Sequence, residues 1–248
     1  GLVEVDLYDR LPTPFGLVRG GVAPDHQKIK SVTKAYDRVA SNPRFRYYGY
    51  VEFGTDVKLD DLKKHYHQVV FTVGAQVDRS MGIPGEHLER SHAATEFVAW
   101  YNGHPDYRDR KFDLSQDAVV VVGVGNVAVD VCRILCRGRD ELERTDIADY
   151  ALEAIANSNV KTVYMLGRRG PAQAAFTNPE IKELGELEVA DIRVPERDAA
   201  IDEATQAFMA KNPDKGTDRK VRILQQYAEE KRSGKPKTLV LRFCVSPT

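Results

Sequence analysis

Two periodicities take turns along this chain. Residues 3–8, Val-Glu-Val-Asp-Leu-Tyr, alternate apolar and polar positions and predict a strand closed by Asp9. A Pro- and Gly-rich loop runs from Leu11 to Pro24. Ile29, Val32, Tyr36 and Val39 then fall at helical spacing, with Asp25 placed to cap that helix. Residues 66–73, Tyr-His-Gln-Val-Val-Phe-Thr-Val, predict a second strand, apolar as buried parallel strands are, ended by Gly74-Ala75. Met81 to Glu86 reads as a linker, and Phe97, Val98 and Tyr101 predict a helix stopped by Gly103 and Pro105.

A new alternation of strands and helices begins at Ala118. Ala118 to Val122 is a buried strand, and Val127, Val131 and Leu135 stripe the helix after it. A helix is predicted near Ile147 to Ala156, then a strand from Val160 to Leu166 closed by Gly167-Arg168-Arg169-Gly170-Pro171. Asn178-Pro179 opens another helix, with proline in the first turn where its missing N–H costs little. Residues 186–236 are charged and weakly periodic and predict irregular helix, and Thr238 to Val245 alternates as a strand. Strands separated by helices predict an α/β fold with parallel sheets, organised as two systems: residues 1–76 and residues 77–248.

Composition narrows the function. With 36 basic against 37 acidic residues the net charge is −1, which offers no electrostatic footprint for nucleic acid or an anionic membrane. No apolar run approaches the length of a transmembrane segment, and the opening Gly-Leu-Val-Glu-Val-Asp-Leu lacks the charged-then-apolar order of a signal peptide. Three widely spaced cysteines argue against a disulfide framework and fit a reducing compartment: the cytoplasm, or the mitochondrial matrix in a eukaryote. Cys132 and Cys136 share a helix face but lack CxxC spacing, so helix packing is the better reading. No histidine pattern has metal-ligand spacing. Oligomeric state is not legible.

The chemistry lies in the second system. Gly123-x-Gly125-x-x-Ala128 directly follows a buried strand and opens a helix, the context a dinucleotide-binding turn requires. Gly123 permits the tight turn, Gly125 lets backbone approach a pyrophosphate, and Ala128 permits close helix–strand contact. The helix N-terminus offers unpaired N–H groups and partial positive charge to phosphate. The next strand ends in Arg168 and Arg169, where an NAD-binding fold places an acid. Guanidinium groups pair bidentately with phosphate, so the site is expected to prefer NADP(H). In the first system, Asp9 closes a strand where an acid can bind a nucleotide's ribose, although an acid there is more often a solvated turn residue.

Several segments together are more specific than any one of these signals. They are Leu11-Pro-Thr-Pro-Phe-Gly-Leu-Val-Arg-Gly-Gly-Val-Ala-Pro-Asp-His26, Ile83-Pro-Gly-Glu86, Phe97-Val-Ala-Trp-Tyr-Asn-Gly103, Gly123-Val-Gly-Asn-Val-Ala-Val-Asp130, Arg144-Thr-Asp-Ile147, and Gly167-Arg-Arg-Gly-Pro171 through Ala175-Phe-Thr177. In this order they resemble the adrenodoxin reductase family, its bacterial ferredoxin–NADP reductase branch above all. The resemblance implies two Rossmann-like domains, an FAD-binding domain with an NADP-binding domain inserted in it. It implies FAD and NADP(H) as cofactors: NADPH gives hydride to FAD, and electrons then pass singly to a ferredoxin-like iron–sulfur protein.

Position by position, the resemblance places Asp9, Leu17 and Phe53 beside FAD. Val124, Gly125, Asn126 and Val127 fall at the NADP pyrophosphate, Arg168 and Arg169 at the 2′-phosphate, and Glu183 near the ribose. His26 falls near the flavin edge, where it would carry or orient a proton, and Asp130 would pair with it across the domains. Three departures stand out. The family's FAD Gly-rich loop and its C-terminal segment do not occur in this sequence, so the chain resembles a fragment of the family, expected to bind FAD weakly or not at all. Val124 also stands where the family commonly has a polar residue. An alternative function is a flavin-free NADP(H)-binding module without catalysis. A third reading, a small subunit related to that of glutamate synthase, would bring extra Cys clusters, which this chain lacks.

Overall fold

A computed structural model describes residues 3–75 and 77–247. The chain divides into two compact units. One comprises Gly1–Val22 with His26–Arg79, and the other Ala23–Asp25 with Ser80–Thr248.

The first unit carries two parallel strands, β1 (Val5–Asp9) and β2 (Phe45–Gly49), paired from Val5↔Phe45 to Asp9↔Gly49. Gly49 is required where β2 ends, because a Cβ there would stand 2.7 Å from the Pro12 carbonyl oxygen. The helices are α1 (Thr33–Ala40) and α2 (Leu59–His65), with two short helical segments, Gly16–Gly20 and Gln27–Lys30, ahead of α1.

Two expectations are corrected here. Residues 66–73 do not form a strand: they make no ladder pairing, and Val70, Phe71 and Val73 are exposed. The partner of β1 is β2 instead, whose Phe-Arg-Tyr-Tyr run is a sound strand former following an Asn-Pro turn. A run rich in β-formers does not by itself make a strand: it needs a partner in register, and 66–73 has no ladder pairing with β1 or β2. The helix expected after Asp25 is also interrupted at Ser31-Val32, and His26, not Asp25, occupies its N-cap position. The Asp25 carboxylate is instead committed to Arg133 and Arg137, within the second unit to which Asp25 itself belongs.

The second unit is built on a four-stranded parallel sheet in the order β3-β4-β6-β5: β3 (Ala118–Val122), β4 (Thr162–Gly167), β5 (Ala190–Arg193) and β6 (Lys237–Phe243). Its principal helices are α3 (Ala94–Tyr101), α4 (Asn126–Cys136), α5 (Asp149–Ala156), α6 (Asn178–Leu184) and α7 (Lys215–Glu229). The core gathers Val129, Ile134, Leu135, Val163, Met165, Leu239 and Leu241 between helices and sheet. Trp100 and Tyr101 are buried packing residues. Cys132 and Cys136 are buried too, and burial pushes the Cys136 thiol up to about 12, so neither offers a thiolate at neutral pH.

Residues 186–236 are more regular than expected, containing β5 and α7. Most of their charges are exposed, Asp191 and Asp198 being buried exceptions, while α7 buries Val221, Leu224 and Tyr227 at three-residue spacing. Asp214 caps α7 by accepting from Gly216 N–H (3.1 Å) and Thr217 N–H (2.9 Å). The Tyr227 hydroxyl sits 3.0 Å from the Ile181 carbonyl, joining α7 to α6. Asp191 of β5 accepts from the backbone N–H groups of Ser233, Gly234 and Lys235, which fixes the approach to β6.

Candidate dinucleotide site

The carboxyl end of β3 runs directly into the Gly-rich turn. Gly123 has φ 141°, a conformation that favours glycine, and its N–H donates to the Leu166 carbonyl of β4 at 2.9 Å. A Cβ at Gly123 would lie 3.7 Å from the Ala128 methyl, so the third position of the pattern is small because helix and turn approach closely. Gly125 is the N-cap of α4, and a Cβ built there meets nothing within 4 Å. Open space thus lies against the first turn of α4, whose N–H groups have no helical acceptor.

Val124 takes a different role from a pyrophosphate side-chain ligand. Its side chain packs down on β4: a Cβ on Gly167 would stand 2.9 Å from Val124 Cγ1. Its carbonyl accepts from Ala175 N–H (2.8 Å) and Phe176 N–H (3.0 Å), and Asn126 Oδ1 accepts from Thr177 N–H (3.0 Å). The segment 174–177 therefore straps the turn in place. Lys220 of α7 donates to the Ala174 carbonyl at 2.5 Å, with its ammonium 5.7 Å from the centre of the Phe176 ring. Periodicity gave no hint of this strap. Its signal was the Asn126 side chain, a ready acceptor beside a turn. Val127 is exposed on the first turn of α4.

Arg168 and Arg169 follow β4 at once and are exposed. Their backbone is held from β6, since Cys244 N–H donates to the Arg169 carbonyl and Val245 N–H to that of Gly167. Neither guanidinium has a carboxylate partner among the described residues. A small-residue turn, an open helix N-terminus and two uncommitted guanidinium groups at the end of the neighbouring strand form a donor set that fits an NADP(H) dinucleotide.

No family model matches the chain. It is 45% identical over 247 residues to the NADPH-ferredoxin reductase FprA of Mycobacterium leprae, covering 99% of this chain and 53% of that protein. It is 48% identical over 207 residues to the mitochondrial NADPH:adrenodoxin oxidoreductase of Arabidopsis thaliana, covering 83% of this chain and 43% of that protein. The structure of Mycobacterium tuberculosis FprA in complex with NADPH superposes with a TM-score of 0.91 at 44% identity, over 97% of this chain and 52% of the other. The chain belongs to the adrenodoxin reductase and ferredoxin–NADP reductase family. It spans about half the length of the family members it matches.

The remaining residues expected from the family resemblance are placed as follows. Asp9 ends β1, and its Oδ1 accepts from Leu11 N–H at 2.9 Å, an Asx turn that leaves Oδ2 without a hydrogen bond from a described residue. That is a carboxylate oxygen ready to accept at the carboxyl end of parallel strands, which fits the hydroxyls of a nucleotide ribose. Leu17 is exposed on a short helix, and Phe53 meets Phe71 edge-on at 5.0 Å. His26 is half-buried at the start of the Gln27–Lys30 turn, its carbonyl accepting from Lys30 N–H.

Asp130 and Glu183 of this family member meet at a residue that the sequence reading passed over. Arg133 of α4 is 0% exposed. Its Nε lies 2.5 Å and its Nη2 2.9 Å from the two Asp25 oxygens, Nη2 lies 2.7 Å from Asp130, and Nη1 lies 3.3 Å from Glu180. Glu183 is an ion-pair partner at 3.8 Å. Arg137, one turn on, bonds Asp25 at 2.8 Å and Glu141 at 2.6 Å. Burial alone would raise the Asp25 carboxyl, but the hydrogen bond and charge of Arg133, with Arg137, hold it below the usual carboxylate range. Burial, and then the Asp130 charge, push the neighbouring Tyr101 hydroxyl well up, so it stays protonated.

Proposed function

We propose that this chain is part of an NADPH-dependent flavoprotein reductase that passes electrons from NADPH through FAD to a ferredoxin-like iron–sulfur acceptor. One observation carries the reading: an open Gly-rich turn beside two arginines that have no carboxylate partner among the described residues. Membership of a family whose members are named as NADPH-ferredoxin and NADPH:adrenodoxin reductases supports it. With FAD bound, the cofactor pair supplies the hydride acceptance and the division into single electrons. The protein binds and orients. Gly123, Gly125, Asn126 and Val127, with the backbone of Val124, would receive the pyrophosphate, Arg168 and Arg169 the 2′-phosphate, and Glu183 the ribose. In the first unit Asp9 would bind the FAD ribose, with Leu17 and Phe53 against the flavin nucleotide. His26 and Asp130 are proposed to hold the reacting geometry and its proton.

The experiment is a titration of NADPH and NADH against wild type and an Arg168→Ala/Arg169→Ala variant. Losing charge-assisted pairs costs roughly 2 kcal/mol or more, so NADPH should weaken by about tenfold to a hundredfold while NADH barely changes. Equal wild-type affinities for the two nucleotides would sink the reading. For His26 and Asp130, His26→Gln and Asp130→Asn should each slow flavin reduction in single turnovers of the flavin-loaded protein. Unchanged rates remove them from the site.

A further inference from the structure

Four carboxylates surrounding one inaccessible guanidinium are more than a structural clamp needs. Asp25 comes from the segment Ala23–Asp25, Asp130 from α4 itself, and Glu180 and Glu183 from α6. A stabilising ion pair needs one acid per arginine, and apolar packing of equal volume often does as well. Here Nε, Nη1 and Nη2 are all engaged, by carboxylates from three separate stretches of chain. Arg137 does not share the task evenly, being committed to Asp25 and Glu141.

The position along α4 gives the cluster its significance. Asn126 is the first residue of the helix and Arg133 the eighth, which places the Arg133 Cα roughly 10 Å along the axis from the open turn at the usual rise per residue, with its side chain leaning back towards that turn. We propose that Arg133 is a positioning residue for NADP(H): its buried charge compensates Asp25, Asp130, Glu180 and Glu183, so that a phosphate-bearing dinucleotide is not repelled from the N-terminus of α4. The inference rests on the NADP(H) reading of that turn. A unit charge at roughly 10 Å in a partly screened protein environment changes the binding of a singly charged phosphate by about tenfold. A dinucleotide with a 2′-phosphate carries several such charges. Among the groups facing the cluster besides these four acids are Arg137, itself paired with Glu141, and the protonated Tyr101 hydroxyl.

The test is calorimetric titration of the whole chain with NADP+, which needs no flavin and no turnover. Arg133→Met should bind NADP+ at least about tenfold more weakly than wild type. Arg133→Met/Glu180→Gln, which removes one negative charge along with the positive one, should recover most of that loss. Glu180→Gln alone keeps Arg133 and its other partners and should tighten NADP+ severalfold. A purely structural cluster predicts the opposite sign for this variant, so it decides the matter even if Arg133→Met fails to fold. Unchanged or weaker binding by Glu180→Gln overturns the inference. A folded Arg133→Met with wild-type affinity does the same. A wild type that binds no NADP+ overturns the NADP(H) reading itself, whereas a wild type that binds with Glu180→Gln unshifted overturns the role of Arg133 alone.

Discussion

Two glycines of the site have opposite requirements. Gly125 has ordinary extended backbone, φ −106°, and empty space where a Cβ would stand. Gly125→Ala should therefore leave the thermal midpoint unchanged while lowering NADP+ affinity by about tenfold, since a methyl group would occupy the approach to the helix N-terminus. A Cβ on Gly167 would press on Val124 Cγ1 at 2.9 Å and Phe243 Cδ1 at 3.3 Å. Gly167→Ala should cost about 1–3 kcal/mol of stability in denaturant titrations, the usual price of overpacking. If Gly125→Ala destabilises as much as Gly167→Ala, the turn is a structural feature and its open side means nothing. In the sequence Gly167 reads only as the end of a strand; its packing requirement was not legible there, because it is set by Val124, some forty residues away in the chain.

Among the elements, the loop after Arg79 is held by one acid. Glu86 accepts from the Ser80 hydroxyl (2.6 Å), Met81 N–H (2.5 Å) and Gly82 N–H (2.8 Å), and these bonds, Ser80 first, lower its carboxyl from 4.5 to about 2. A depressed acid contributes its stabilisation fully above its unfolded value. The loop should thus stay ordered at pH 5 and loosen only as pH falls from about 4.5 towards about 2. Backbone amide chemical shifts of residues 80–86 followed by NMR check this, and Glu86→Gln should show the loosened spectrum at neutral pH. A wild-type loop that already titrates near pH 4.5 contradicts it. The same scale explains what sequence patterns reveal. The strand–turn–helix at 118–136 was legible in its element types, but not in its burial: β3 lies at the edge of its sheet with Val120 and Val122 exposed, and of the helix stripe Val131 and Leu135 are buried while Val127 is not. The strand expected at 66–73 was not borne out, since apolar period alone does not say whether a neighbouring strand is available. The helix α7 hid behind its charges, although the Asp214 cap and the spacing of Val221, Leu224 and Tyr227 were there to be read. Arg133 was invisible for another reason: a basic residue in a helix reads as surface, and only the convergence of distant acids makes it interior.

For the whole chain, the two units differ in what holds them. Among the described residues of the first unit only Lys30 and Leu62 are buried, whereas the second unit holds nearly all of the hydrophobic core. Hydrogen exchange followed by mass spectrometry should show β1, β2 and α1 exchanging orders of magnitude faster than β4, β6 and α4, because local opening follows buried apolar contact. Equal protection across both units would mean that something other than the apolar core stabilises the first. FAD, if it binds as proposed, should slow exchange selectively in residues 3–22 and 26–79.

The membership of Ala23–Asp25 in the second unit has a bearing on biosynthesis. Asp25 leaves the ribosome 108 residues before Arg133, the side chain it must meet. The second unit therefore cannot be completed from its own uninterrupted stretch of chain, and a nascent polypeptide must carry this acid, unpaired, until α4 has been synthesised. A polypeptide beginning at Ser80 would fold with Arg133 lacking its bidentate partner. Breaking one side of a buried pair costs about 3–5 kcal/mol. Such a truncated polypeptide should melt well below the intact chain, and a short peptide spanning residues 20–30, added in trans, should raise its melting temperature.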